Sequence, residues 1–162
     1  MRLFSLATLL LLTTLSVGLH NNHRPNHRGF SMSGGGFYSK AGIAALFTVV
    51  AVNTAKCGID AHHPPPVVVN ATDAERTIAT VQKTLDITNP LALKMFESKK
   101  ALFQSWGQDV VIRSALRLIL QEHLYFSNAV LERTPPEYLE EAKTAVDIIS
   151  DALEAGIATF GA

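Results

Sequence analysis

From Asp73 onward the apolar residues recur at spacings of three and four, the period of an α-helix with one face in a core. The longest such run is Gln108 to Arg133, which contains no glycine or proline. Val111, Ala115, Leu116, Ile119, Leu120, His123, Leu124, Ser127 and Leu131 fall on one face of it, and Arg113, Arg117, Gln121 and Glu132 lie off that face. A helix of about 25 residues is roughly 37 Å long, so shorter helices are needed along its stripe.

The flanking sequence supplies three. Asp73 to Asp86 sets Ala74, Ile78, Val81 and Leu85 on one side, and Thr72 with Glu75 has the spacing of a capping box at its start. Asn89-Pro90 reads as the start of a second helix that ends at Gly107, with asparagine as cap and proline at the first helical position. Thr134-Pro135-Pro136-Glu137 closes the long helix and opens a fourth, with Thr134 and Glu137 as a second capping box. Tyr138, Leu139, Ala142, Val146, Ile149, Ala152 and Leu153 form its stripe, up to Gly156. No strand pattern follows Pro66, and the short connections require neighbouring helices to run antiparallel. The expected fold is all-α, an up-down four-helix bundle over residues 72–156 with a tail at 157–162, its burial resting on Phe96, Phe103, Trp106, Leu120 and Ile149.

The N-terminal third has a different pattern. Residues 1–19, with Arg2 ahead of an apolar run from Leu3 to Leu15, read as a signal peptide, too short in its apolar part to span a bilayer as a helix. Residues 20–40 are a transit-like leader, rich in Asn, His, Ser and Gly. Residues 41–61 contain a second apolar run, Gly42 to Ala55, expected to act as another signal or as an anchor. Residues 62–71 are a proline-rich linker. If Met32 is the start, the first signal is lost and one apolar run remains.

Composition sharpens this division. The 162 residues are 48% apolar and 17% charged with zero formal net charge, yet residues 1–59 hold five basic side chains and no acid, leaving the rest at −5. An acid-free N-terminus is a targeting signature, and the acidic remainder argues against nucleic acid as a partner. Cys57 is the only cysteine, so an internal disulfide is excluded.

Candidate chemistry is sparse. Glu140 and Glu141 are adjacent on a helix and point apart, Gly34-Gly35-Gly36 lacks the context of a phosphate loop, and Ser105, Ser114 and Ser127 carry no hydrolase signature. His20, His23 and His27, and His62 with His63, are read as leader and linker residues rather than metal ligands, and His123 beside Glu122 as a core or boundary histidine. Asn70-Ala71-Thr72 matches a glycosylation acceptor. Neither catalysis nor a metal or other cofactor is expected. The remaining feature is a basic patch of Lys94, Lys99, Lys100, Arg113 and Arg117, which on an acidic bundle is a docking surface for a membrane protein complex.

The layout of signal, leader and second signal over residues 1–61 resembles the tripartite presequences of thylakoid lumen proteins in algae with secondary plastids, although the aromatic residue such presequences carry after the first cleavage site is replaced by Leu19-His20. A small, acidic, cysteine-poor helical bundle behind such a presequence resembles the PsbQ-like extrinsic subunits of photosystem II. That resemblance implies a plastid thylakoid lumen location and a non-catalytic structural role in photosynthesis, docking on the lumenal side and supporting oxygen evolution. Two other classes fit the same residues: a secreted or membrane-anchored helical protein-binding module, of effector or immunity type, and an accessory subunit of a mitochondrial membrane complex with residues 42–55 kept as an anchor.

Overall fold

The computed structural model describes residues 40–63 and 65–161, and those residues form an all-helical bundle. The signal peptide at 1–19, nearly all of the leader at 20–40, Met32, the leader histidines and the glycine triplet lie outside the described residues. The helices are α1 (Lys40–His62), α2 (Ala71–Lys83), α3 (Leu85–Glu97), α4 (Lys100–Ser105), α5 (Asp109–Leu131) and α6 (Leu139–Thr159), with a 3₁₀ turn at Pro136–Tyr138 ahead of α6.

The long helix lies where the apolar pattern puts it, and α6 runs antiparallel to it. Three pairings fix that direction: Arg113 with Gly161, Leu116 with Gly156, and His123 with Val146. Along α6, Gln82 at the end of α2 meets Glu141, and Leu93 on α3 meets Gly156, so the α2–α3 segment advances in the same direction as α6. The core sits between α3, α5 and α6. Phe103 and Ile112 are fully buried there, with Leu93, Phe96, Leu116, Ile149, Leu153 and Phe160 around them. Phe103 lies 5.7 Å from Phe96 and 6.0 Å from Phe160 between ring centroids, and 6.1 Å from Trp106 in an edge-on contact.

Local signals decide where helices stop. Gly107 takes φ +66°, its N–H donates to the Gln104 carbonyl and that of Gln108 to the Phe103 carbonyl, the paired bonds of a Schellman cap. Its lack of a Cβ is what makes that φ accessible. Other starts differ from expectation. Asn70, not Thr72, caps α2: its side chain accepts from the Asp73 N–H at 2.9 Å and donates to the Asp73 carboxylate at 2.8 Å. Thr134 does not open α6 but donates its hydroxyl back to the Val130 carbonyl, closing α5. Asn89 and Pro90 lie inside α3, whose break from α2 falls at Thr84 instead.

Two segments assigned elsewhere by pattern join the bundle. Residues 157–162 were expected as a tail, but α6 continues through Gly156 to Thr159 and Phe160 reaches the core at 2% exposure. Gly156 serves close packing: a Cβ there would sit 3.3 Å from both Leu116 and Leu93. The second apolar run forms most of α1, which packs along α5. Among the described residues no helix is long and apolar enough to cross a membrane.

Candidate functional site

The seam between α1 and α5 leaves apolar surface open around a recess. Ala55 and Ile59, one turn apart on α1, face Gln121, Glu122, Tyr125 and Asn128, which share a side of α5 at three-four spacing. These six residues line an open groove of about 520 Å³. Ile59 is 57% exposed and Tyr125 43%, so both present apolar surface to this recess.

The floor of the seam is set by a glycine. A Cβ on Gly58 would lie 2.5 Å from Cδ1 of Tyr125, so the missing side chain lets the tyrosine ring lie against the α1 backbone. There it stacks on His62, ring centroids 3.9 Å apart and planes within 10°. His62 is held for the stack by donating Nδ1–H to the Gly58 carbonyl at 2.8 Å, which fixes its tautomer. Cys57 is half-buried nearby, and burial pushes its thiol up from the ordinary range, so it is not an activated nucleophile.

Among the described residues, no hydrogen bond or ion pair occupies the side chains of Gln121, Glu122 or Asn128. Lys56, the cation next to the groove, is exposed and paired with Asp60 at 2.7 Å. Opposite the seam, His123 makes a different kind of contact. Burial lowers its pKa from the ordinary 6.5, so the neutral ring is favoured, with Nε2–H donating to the Val146 carbonyl at 3.4 Å and Nδ1 facing the Ser127 hydroxyl at 3.5 Å. Ser127 is only 4% exposed, and the ring nitrogen that a carboxylate would orient in a triad is spent on a backbone carbonyl. The pair ties α5 to α6.

The residues proposed for docking are dispersed in role. Lys94 on α3 and Arg117 on α5 are exposed, while Lys99, Lys100 and Arg113 are half-buried. Among the described residues no side-chain hydrogen bond or ion pair engages any of them, except that Arg113 donates to the Gly161 carbonyl at 3.4 Å, a cation set at the end of α6 where the helix dipole favours it. Among the described residues no group of three or more His, Cys, Asp or Glu side chains is arranged to hold a metal ion.

No protein-family model matches the sequence, and no characterised protein matches it significantly. Solved structures do match its fold. Ligand binding domain 2 of the Penicillium marneffei MP1 protein, in complex with arachidonic acids, superposes with a TM-score of 0.75 at 18% identity, covering 94% of this chain and 87% of that one. The same domain complexed with multiple arachidonic acids gives 0.76 at 18%, covering 94% and 88%. Ligand binding domain 1 of the same protein, also with arachidonic acids, gives 0.76 at 16%, covering 94% and 91%. Identity this low establishes the shared fold.

These likenesses correct the photosystem II reading. The chain shares its fold with ligand-binding domains, which overturns the expected docking on photosystem II in support of oxygen evolution. Residues 41–61, read from the sequence as a second signal or an anchor, here form a helix folded along α5 and supply two of the six residues that line the groove. The signal missed in the sequence was the pair Ala55 and Ile59 at helical spacing around Gly58, hidden inside a run whose composition reads equally as a translocation signal.

Proposed function

We propose that this protein is a non-catalytic lipid-binding module that holds a long-chain lipid in the groove between α1 and α5. The observation that carries the reading is that groove: about 520 Å³, walled by Ile59 and Tyr125, with unengaged polar side chains along one rim. Its volume lies within the roughly 300–1,000 Å³ of small-molecule sites, and the mixture of apolar wall and few polar groups is what such sites share. Support also comes from the fold, since the similar MP1 domains hold arachidonic acids. The signal-like residues 1–19 accord with export from the cell, where a carrier meets lipids shed from membranes.

Titration of the whole chain with a neutral fluorophore that brightens in apolar surroundings, N-phenyl-1-naphthylamine, tests the proposal. The expected result is saturable enhancement that a long-chain lipid reverses and that Ile59→Asp abolishes while the circular dichroism of the bundle is kept. Enhancement that persists unchanged in Ile59→Asp, or none in the native chain, overturns it.

A further inference from the structure

Resting on the lipid-binding reading, we infer that the groove selects lipids whose head is an uncharged hydroxyl and rejects fatty carboxylates. None of its six lining residues is basic, and one of them, Glu122, is acidic. Glu122 is half-buried and has no ion-pair partner among the described residues. A lipid carboxylate seated beside it meets a like charge where part of the surrounding water has been displaced, which disfavours the ionised form. The nearest cation along α1, Lys56, is already bonded to Asp60 at 2.7 Å and does not line the groove. His62, the other basic side chain of the seam, has its ring face on Tyr125 and its Nδ1 on the Gly58 carbonyl.

A hydroxyl head fits the same rim. It donates its proton to the Glu122 carboxylate, a charge-assisted bond, and accepts from the side-chain amide of Gln121 or Asn128. An ammonium head also donates to Glu122 and to the side-chain oxygens of Gln121 and Asn128, but an ion pair at an open rim is worth little against the strong hydration that the ammonium gives up, whereas a hydroxyl gives up less. The acyl chain lies along Ala55, Ile59 and the Tyr125 ring in each case, so chain affinity does not discriminate and the head does.

The test is displacement of N-phenyl-1-naphthylamine from the full chain by three lipids of one chain length, oleyl alcohol, oleate and oleylamine, at neutral pH. Oleyl alcohol is expected to displace the probe about tenfold more effectively than oleate, the effect of one modest like-charge encounter. Glu122→Gln, a change between two good helix formers at a side chain without internal bonds among the described residues, is expected to bring oleate to within about twofold of the alcohol. Oleate equal to or better than the alcohol in the native chain overturns the inference and leaves the lipid-binding reading standing. Oleylamine tenfold better than the alcohol overturns the hydroxyl assignment, an oleate penalty unchanged in Glu122→Gln overturns the role of Glu122, and displacement by none of the three overturns both readings.

Discussion

Toward α3 and α6, helix α5 presents Ile112 and Leu116 at 0% and 2% exposure, while toward α1 it presents Tyr125 at 43%, opposite Ile59 at 57%. The first seam is filled by large side chains that interlock, Phe103 among three aromatic neighbours and Leu116 against a helix thinned by Gly156. The second packs closely where Gly58 admits the Tyr125 ring and leaves an open groove beside it. Filling gives stability and leaves no room for anything else, whereas the second seam keeps a recess beside its packed contacts. On the lipid-binding proposal, one helix therefore carries a structural face and a binding face.

The comparison breaks most severely at Phe103. Phe103→Ala removes a fully buried ring and leaves a cavity against Phe96 and Phe160, with an expected loss of about 3–5 kcal/mol by denaturant unfolding and no change in probe binding in the fraction that stays folded. A loss below 1 kcal/mol would mean that this seam is no better filled than the other. Gly156→Val acts on the same seam from the other side. Even a Cβ there stands 3.3 Å from Leu93 and Leu116, so two further methyl groups overpack the contact, at an expected cost of about 1–3 kcal/mol in the same assay.

Much of the filled seam was legible in the sequence and little of the open one. Ala74, Ile78, Phe96, Phe103, Ala142, Ile149 and Leu153 are buried as the periodicity requires, because each helix there has one neighbour-facing stripe and a wet back. On α5 the reading slips: Val111 and Leu124 are exposed at 41% and 42%, whereas Ile112 is fully buried. That helix is contacted from two sides, by α1 and α6, so no single stripe describes it. Asn89-Pro90 misled for a different reason. The pair has the chemistry of a helix start, but α3 had already begun at Leu85, and burial of Ala92, Leu93 and Phe96 offsets a proline in its second turn. Residues 41–61 could not be read as a groove wall, since an apolar run of that length suits a translocation machine and a packed helix alike.

Smaller effects come from single polar groups. Asn70→Ala removes the acceptor for the Asp73 N–H and is expected to cost about 1 kcal/mol, with Asn70→Asp retaining most of it. His123 makes the filled seam sensitive to acid. Its folded pKa is lowered by burial, so the unfolded chain binds the proton more readily, and the stability tied to the neutral ring is present above 6.5 and is lost as pH falls below it. The denaturation midpoint should drop between pH 7.5 and 5.5, and His123→Gln, which keeps a donor for the Val146 carbonyl, should flatten that drop. An equal drop in the variant would assign the acid sensitivity to other groups.

The smallest effect on unfolding should accompany one of the largest on binding, at Gly58. Gly58→Ala adds one methyl 2.5 Å from Tyr125 Cδ1, closer than any real contact, so the ring must leave its place and with it the stack on His62. The glycine lies inside a helix, where alanine is favoured by up to about 1 kcal/mol, and that gain opposes the cost of moving a side chain already 43% exposed. The expected sum is an unfolding midpoint near the native one. The groove is not so protected, because Tyr125 is its largest wall and swings with the methyl. Probe binding should fall at least about fivefold, a change that Gly156→Val, which disturbs only the filled seam, should not reproduce in its folded fraction. If Gly58→Ala instead unfolds the chain as Phe103→Ala does, the α1 seam bears on stability as the core does, and the division of α5 into a structural and a binding face fails.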